Sequence, residues 1–326
     1  LTASATASGT LTLDASGVLS TGGALSGTDV SLVGDGGISL GHNVTATGTL
    51  GLTSTNNAIN QTAGTITATG ATTASAGTGN ITLSQSTNDF SSLSLSGGAI
   101  DVEDANDLTV SSLASGTNQA VSLIAGGTLT LPATAIDTGT ADLTLASNGG
   151  TLTTAATLAG TNVSLTGSGG LSIGHEITAG GTLGLTSTNN AINQTAGTIS
   201  TTGATTASAG TGNITLSQST NNFSALNLSG GAIDVEDANS MTVSALASGT
   251  NQAVSLVAGG TLTLPATAIN TGTADLALAS NGGALSTAVA LSGNNLSLTA
   301  SGGLNLAHNV TAGGALTLGT TNTAIN

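Results

Sequence analysis

The sequence of this chain repeats itself with a period of 133 positions, which is the offset between residue 51 and residue 184. Residues 51–100 are identical to residues 184–233 at 45 of 50 positions, and residues 291–326 repeat residues 158–193 more loosely. The chain therefore holds two full blocks and part of a third, about 2.5 copies. Repetition of this kind is typical of proteins in which each repeat stacks on its neighbours. Every unusual residue occurs two or three times, which favours a repeated structural element over a single reaction centre.

A shorter period lies within each block. Apolar residues alternate with small polar ones in units such as Val163-Ser164-Leu165, and glycine pairs such as Gly149-Gly150 separate the units. This alternation is typical of strands with one buried face, and the glycine pairs are typical of tight turns. We count six such units in each block, which predicts six turns per block. The pattern predicts an all-β fold, a right-handed parallel β-helix (β-solenoid) with about 15 turns of roughly 22 residues.

Two other architectures are weaker candidates. Immunoglobulin-like sandwiches are about 100 residues long and normally contain a large aromatic core residue, whereas this chain has neither Trp nor Tyr. A disordered chain would not need a hydrophobic fraction of 38% arranged in regular alternation.

The composition is even from end to end, without a charge run or a proline-rich linker. We therefore expect residues 1–326 to form a single continuous solenoid segment. The chain begins with Leu1 and both of its ends fall within the repeat pattern, so we expect it to be an excerpt of a longer protein.

The charge balance restricts the possible partners. The chain has no Lys or Arg and 15 acidic residues, for a formal net charge of −15. Proteins bind nucleic acids and anionic membranes mainly through Lys and Arg, so we expect no nucleic-acid partner. No apolar run approaches the roughly 20 residues of a membrane helix, so we expect no membrane insertion. The absence of Cys excludes disulfides and thiolate metal sites.

The densest acidic segment suggests a calcium site. Clustered carboxylates are ligands for Ca²⁺, which takes six to eight oxygens. Strand alternation gives a simpler interpretation, in which Asp101 and Glu103 face water because Ile100 and Val102 face inward. The candidate ligands are Asp101, Glu103 and Asp104, with their counterparts in the next block, Asp234, Glu236 and Asp237.

Comparison of the blocks argues against catalytic carboxylates. Asp89 corresponds to Asn222 and Asp137 to Asn270, and an amide cannot replace a carboxylate in proton transfer. Asp101 and Asp104 would be the pair to test for glycoside hydrolysis, but no cation is present to bind an acidic sugar. We therefore predict no enzymatic activity, no catalytic residues, and no cofactor apart from the calcium considered above.

The histidines and phenylalanines also follow the block period. His42, His175 and His308 occupy the same position in successive blocks, and Phe90 and Phe223 correspond in the same way. The parity of Leu171 and Ile173 would turn His175 inward unless Gly174 bends the strand, and we interpret the three residues as packed or turn histidines rather than metal ligands. We interpret the two Phe as core residues.

Two runs in this chain resemble the repeats of filamentous-haemagglutinin-type exoproteins of Gram-negative bacteria. They are residues 212–223, Gly-Asn-Ile-Thr-Leu-Ser-Gln-Ser-Thr-Asn-Asn-Phe, and residues 229–239, Ser-Gly-Gly-Ala-Ile-Asp-Val-Glu-Asp-Ala-Asn, which recur in the first block. The resemblance implies a large secreted adhesin or surface fibre, exported by an outer-membrane partner in two-partner secretion.

We therefore predict the structural shaft of a secreted bacterial surface fibre or adhesin, acting as a mechanical spacer or a filament or matrix component. The expected location is extracellular, at the cell surface. Host cells, neighbouring cells or matrix would be bound through parts outside this segment, and copies would be able to associate into filaments. The alternatives are a glycan- or ice-binding solenoid and, less favoured, a polysaccharide-cleaving β-helix enzyme.

Overall fold

The computed structural model describes residues 4–321 and 323–326, which contain strands and no helix. Accordingly, these residues include no helix that is long and apolar enough to cross a membrane. The chain divides into two compact units, Leu1–Thr161 and Asn162–Asn326.

The first unit is built from short parallel strands. Its strands are β1 (Ala5–Thr6), β2 (Leu11–Ala15), β3 (Leu19–Ser20), β4 (Leu25–Gly27), β5 (Val30–Gly34), β6 (Ile38–Leu40), β7 (Val44–Ala46), β8 (Leu50–Thr53), β9 (Ile59–Gln61), β10 (Ile66–Ser75), β11 (Ile81–Leu83), β12 (Asp89–Ser96), β13 (Ile100–Asp104), β14 (Leu108–Ala114), β15 (Val121–Ala125), β16 (Leu129–Thr130), β17 (Ile136–Asp137), β18 (Leu143–Ser147), β19 (Leu152–Thr153) and β20 (Leu158–Gly160). One sheet contains β3, β6, β9, β11, β13, β15 and β18, and a second contains β2, β5, β8, β10, β12, β14 and β16. A short third ladder, β1–β4–β7, joins the first half of β10.

The second unit repeats this arrangement. Its strands are β21 (Val163–Gly167), β22 (Leu171–Ile173), β23 (Ile177–Ala179), β24 (Leu183–Ser187), β25 (Ile192–Gln194), β26 (Ile199–Thr201), β27 (Ala204–Ser208), β28 (Ile214–Leu216), β29 (Ala225–Gly230), β30 (Ile233–Asp237), β31 (Met241–Ser248), β32 (Val254–Ala258), β33 (Leu262–Thr263), β34 (Ile269–Asn270), β35 (Leu276–Ser280), β36 (Leu285–Ser286), β37 (Leu291–Gly293), β38 (Leu296–Ala300), β39 (Leu304–Asn305), β40 (Val310–Ala312) and β41 (Leu316–Thr320). Its first sheet contains β21, β24, β27, β29, β31, β33, β36 and β39, and its second contains β22, β25, β28, β30, β32, β35, β38 and β41. The short ladders are β23–β26 and β34–β37–β40.

Strand pairing gives the length of each turn directly. In the second sheet of unit 2, the column that begins at Leu171 reaches Leu296 in steps of 21, 22, 19, 21, 22 and 20 positions. In unit 1, the column that begins at Ile38 advances by the same first five steps. Both units are therefore β-solenoids in which a turn takes about 21 positions, within the range of known solenoid repeats. This confirms the predicted fold class.

Each column is a stack of aliphatic side chains in the interior. The residues of the unit 2 column are at most 2% exposed: Leu171, Ile192, Ile214, Ile233, Val254, Leu276 and Leu296. Between them, the small polar residues of each strand point outward, as in the buried-intermediate-buried pattern of Ile214–Leu216. This is the alternation seen in the sequence. Burial of each such aliphatic side chain contributes about 1.5–3 kcal/mol relative to exposure.

The repeated block spans a half-integral number of turns. Leu304 is the counterpart of Leu171, yet Leu171 lies in the second sheet of unit 2 and Leu304 in the first. Six turns carry the column from Leu171 to Leu296, and Leu304 follows eight positions later on the other sheet. The block therefore makes six and a half turns. Our count of six turns was wrong because sequence spacing does not show which sheet a strand joins.

The short ladders of unit 2 lie on opposite sides of the solenoid, because a block makes six and a half turns. In unit 2, β23 and β26 lie on the path from the second sheet to the first, whereas β34, β37 and β40 lie on the path from the first to the second. Turns that include a short strand contain three strands, and the other turns contain two. Each unit therefore contains places where the number of strands per turn changes.

The turns stack asparagine on glycine. Asn56 has a positive φ of 59° and Gly77, one turn later, has φ 58°. The Asn56 Oδ1 accepts a hydrogen bond of 3.1 Å from the N–H of Thr78. A Cβ on residue 77 would lie 2.3 Å from that same oxygen, so glycine is required there for space as well as for φ. The arrangement recurs three times, at Asn118 with Gly139, Asn189 with Gly210, and Asn251 with Gly272.

Candidate functional site

The polar groups with the most contacts in unit 1 lie inside the solenoid. Gln61 is 5% exposed and Asn88 is fully buried. Their amides form two reciprocal hydrogen bonds: Gln61 Nε2 donates to Asn88 Oδ1 at 2.7 Å, and Asn88 Nδ2 donates to Gln61 Oε1 at 2.8 Å. The pair joins two turns, because the residues are 27 positions apart.

Asn88 also bonds to the backbone of neighbouring turns. Its Oδ1 accepts from the N–H of Ile66 at 2.9 Å, and its Nδ2 donates to the carbonyl of Leu83 at 2.9 Å. Gln61 Nε2 makes a further bond to the carbonyl of Gly64 at 2.9 Å. Buried amides satisfied in this way hold several backbone segments in register.

Asp104 completes the group. It is 1% exposed, and its Oδ2 accepts from the N–H of Phe90 at 2.6 Å while its Oδ1 accepts from the N–H of Asn106 at 2.8 Å. Burial raises the pKa of this carboxyl, the two backbone N–H donors oppose that rise, and the negative charges of Asp89 and Asp107 add to it. We call Gln61, Asn88 and Asp104 the amide–carboxylate cluster of unit 1.

Unit 2 contains the same cluster. Gln194 and Asn221 form the reciprocal amide pair at 2.8 Å in both directions. Asp237 accepts from the N–H of Phe223 at 2.7 Å and of Asn239 at 2.7 Å. Burial raises the pKa of Asp237 as well. The charged neighbours differ between the units, because unit 2 has Asn222 and Ser240 where unit 1 has Asp89 and Asp107.

Each cluster lies where a short ladder ends. In unit 1, the first half of β10 pairs with the start of β12 through Ala68 and Phe90. In unit 2, the ladder β23–β26 ends at a bridge between Ser200 and Asn222. Backbone groups at such an end lose their strand partners, and the cluster side chains supply replacements. The burial of its members makes the cluster a structural element of the solenoid interior.

The acidic strand does not gather its carboxylates at one point. In β13 the inward positions are Ile100, Val102 and Asp104, while Asp101 and Glu103 are partly exposed on the outer side. β30 has the same pattern, with Asp237 inward and Asp234 and Glu236 outward. No group of three or more His, Asp or Glu side chains in the described parts of the chain is arranged to hold a metal ion. The outward orientation that strand alternation predicted for Asp101 and Glu103 is confirmed.

The exchangeable acidic positions cap turns. Asp137 Oδ1 accepts from the N–H of Gly139 at 2.8 Å, and Asn270 Oδ1 accepts from the N–H of Gly272 at 2.9 Å. Asp29 behaves similarly: it accepts from Thr49, whose backbone and side-chain hydrogen bonds lower the pKa of Asp29. At each position an oxygen acceptor is needed rather than a charge, so an amide serves equally well.

The histidines lie on exposed bends. The strand before each His ends at Leu40, Ile173 or Asn305, so the parity that would turn the His inward is lost. In two of the bends the ring Nδ1 lies within hydrogen-bond distance of a backbone carbonyl one turn earlier, 3.1 Å for His42 and 2.7 Å for His308. The inward orientation was therefore wrong, and the interpretation as turn histidines is confirmed. Phe90 and Phe223, 1% and 2% exposed, are core residues as predicted.

Sequence reasoning missed Gln61, because amides on a strand are ordinarily outward-facing, and it also missed Asn88. One signal was present for Asp104. The alternation that places Ile100 and Val102 inward also places residue 104 inward, which separates it from Asp101 and Glu103. Asn88 had no such signal, because it lies in a turn just before β12.

A family model described as repeats of unknown function (DUF5649) matches residues 27–97 and 160–229. The two ranges begin 133 positions apart, so the same part of two successive blocks is similar to that family. No curated protein and no solved structure matches the chain.

Proposed function

We propose that this chain is a structural shaft segment of a secreted bacterial surface fibre or adhesin, a mechanical spacer or filament component. The observation that carries the proposal is the repeated β-solenoid. Within each unit, backbone hydrogen bonds join successive turns and continuous apolar columns fill the interior. Such a body extends by adding turns, and each turn is stabilised mainly by its neighbours.

The distribution of special residues supports the same conclusion. The amide–carboxylate clusters occur once per block and are buried where a ladder ends, so the polar residues with the most contacts maintain the fold. The partly exposed acids on the outer faces of β13 and β30 recur with the block, as do the exposed histidines on their bends. A spacer needs such repetition, because its length is set by the number of blocks.

The resemblance to filamentous-haemagglutinin-type repeats supports the remainder of the proposal. The protein would be an exoprotein of a Gram-negative bacterium, exported through an outer-membrane partner and displayed outside the cell. Binding to host cells, neighbouring cells or matrix would reside in other parts of the full-length protein.

Block insertion in the full-length protein tests the proposal. Six and a half turns at about 4.8 Å correspond to about 31 Å per block, so four additional copies of residues 51–183 should extend the fibre by about 125 Å. We expect antibody labelling of intact cells to find the protein outside, with its far end displaced by that distance in electron micrographs. Retention inside the cell, or an unchanged reach, would contradict the proposal.

Single-molecule stretching supplies an independent test. Each solenoid turn of about 21 residues should release about 70 Å of chain when it unravels. Extension in steps of about 70 Å or small multiples supports a shaft of stacked turns. Extension without measurable resistance would show that the chain cannot act as a mechanical spacer.

A further inference from the structure

Within the described part of the chain, one strand of unit 2 lacks a neighbouring strand along half of its length. β31 pairs with β29 through to Ser248, whereas β33 pairs only with Met241 and Thr242. Ala245–Ser248 therefore have a strand on one side only. In a parallel strand the N–H and C=O groups of alternate residues point to opposite sides, so about half of these backbone groups face away from β29.

A cleft lies beside this free edge. One wall consists of Leu246, Ala247 and Ser248, and the other of Ala268, Ile269 and Asn270 from the next turn; we call it the edge cleft. The second wall is also a strand edge, because β34 is the terminal strand of its ladder and pairs only with β37. The volume of the edge cleft is about 150 Å³, roughly five times the share of one water molecule, which is too little for a folded element.

The edge cleft is uncharged and continues into an open groove. This groove, of about 380 Å³, runs over β27, β29 and β31 and shares Leu246 and Ala247 with the cleft. Leu246 is only half-buried. Exposed strand edges usually carry Lys or Pro that prevents further pairing, and Ala245–Ser248 contain neither. The rest of the groove is lined by hydroxyl, amide and methyl groups, from Thr206, Ser208, Asn227, Ser229, Ala245 and Thr267.

The same backbone arrangement recurs in unit 1. β14 pairs with β12 through to Ala114, but β16 pairs only with Leu108 and Thr109. β17 is paired with β20 on its far side, and Leu113 is half-buried like its counterpart in unit 2. The free edge is therefore a feature of the repeat. The two units differ at one position beside this edge, where unit 1 has Asp137 and unit 2 has Asn270.

We propose that the edge cleft is a strand-addition site for an extended peptide with small or β-branched uncharged residues at its centre and Lys or Arg on its flanks. Unpaired backbone edges are recognised by the backbone of another extended strand, and the uncharged walls exclude charged central side chains. The cationic flanks follow from the charge of the whole chain. A net charge of −15 without a single Lys or Arg attracts cationic segments and repels a second copy of itself.

The test uses the whole chain and a defined probe, the peptide Lys-Lys-Val-Thr-Val-Thr-Lys-Lys. Hydrogen exchange measured by mass spectrometry should show faster exchange in Ala245–Ser248 than in β29 of the free protein. Probe at ten times its Kd should slow exchange about tenfold in Ala245–Ser248 and in residues 268–270, with no change in β35 and β38. Peptides with Glu in place of every Lys, or with Pro in place of the first Thr, should give less than a twofold change.

Three variants, one of them a matched control, test whether the probe binds in the cleft. Leu246→Lys introduces a charge at the free edge of unit 2 and should weaken protection of Ala245–Ser248 by the probe at least tenfold, while the recurrent edge in unit 1 keeps its protection. The matched control Ser255→Lys changes the outer face of β32, which is paired on both sides, and should alter binding less than twofold. Asn270→Asp introduces the residue found in unit 1, so the fold accepts it, and it should strengthen binding of the Lys-flanked probe. Circular dichroism verifies folding of each variant.

The proposal is overturned if the Lys-flanked probe leaves exchange unchanged, or if the Pro-containing peptide protects equally well. Equal protection by the Glu-flanked peptide would show that the proposed cationic flanks of the partner are wrong. If protection instead rises with protein concentration in the absence of peptide, together with dimers in sedimentation velocity, the occupant is a second copy and the proposed partner is wrong.

Discussion

Replacing Asn88 by Ala should destabilise unit 1 far more than its small change in volume suggests. The substitution removes the acceptor of the Ile66 N–H, the donor to the Leu83 carbonyl and the donor to Gln61 Oε1. Each buried group left without a partner costs about 1–3 kcal/mol. Three such groups give a loss of about 3 kcal/mol at the lower end of that range.

The assay is urea unfolding followed by circular dichroism, because the chain has no Trp or Tyr to report by fluorescence. The matched control is Asn60→Ala, the same chemical change at an exposed position of β9, which should stay within about 0.5 kcal/mol. Hydrogen exchange locates the effect: the amide of Ile66 should lose protection, while the amide of Ile199 should keep it because Asn221 is intact. A loss below about 1 kcal/mol, or one equal to that of the control, would refute the structural role of the cluster.

Three further predictions concern single positions. Burial raises the pKa of Asp104, so as the pH falls the native state binds a proton before the unfolded state does. The contribution of the Asp104 carboxyl to stability is therefore fully present below its ordinary pKa of 3.8, and it is lost as the pH rises through the raised pKa. Urea unfolding of Asp104→Asn across this range should show a flatter pH dependence, and an identical pH dependence would contradict the assignment. Thr72→Val should raise the free energy of unfolding by about 1 kcal/mol, because the buried Thr72 hydroxyl has no hydrogen-bond partner among the described residues. Thr205→Val should lower the free energy of unfolding, since that hydroxyl lies 3.2 Å from the hydroxyl of another threonine; thermal melts showing equal effects would contradict this. Gly77→Ala should lower stability by more than about 1 kcal/mol in urea unfolding, because residue 77 has a positive φ and its Cβ would meet the stacked asparagine; a neutral result would show that the turn can rearrange.

The alternation of apolar and small polar residues was sufficient to predict the strands, their buried faces and the solenoid. Ile214–Leu216 illustrates why, since each strand needs only a local period of two to select its inward side. The outward orientation of Asp101 and Glu103 follows from the same local rule. Block comparison added that Asp137 needs only an acceptor, because Asn270 serves at the same position.

Other features depend on contacts between turns. Whether residue 304 joins the same sheet as residue 171 depends on the summed lengths of six turns, and a few residues more or less move a strand to the opposite side. The pairing of Gln61 with Asn88 joins residues 27 positions apart, and only stacking places their amides within 2.8 Å. The orientation of His42 depends on where the preceding strand ends. Local periodicity thus determined the strands and their faces, while the tertiary structure decided register, the half-turn of each block and the partners of the buried polar groups, because these depend on how successive turns stack.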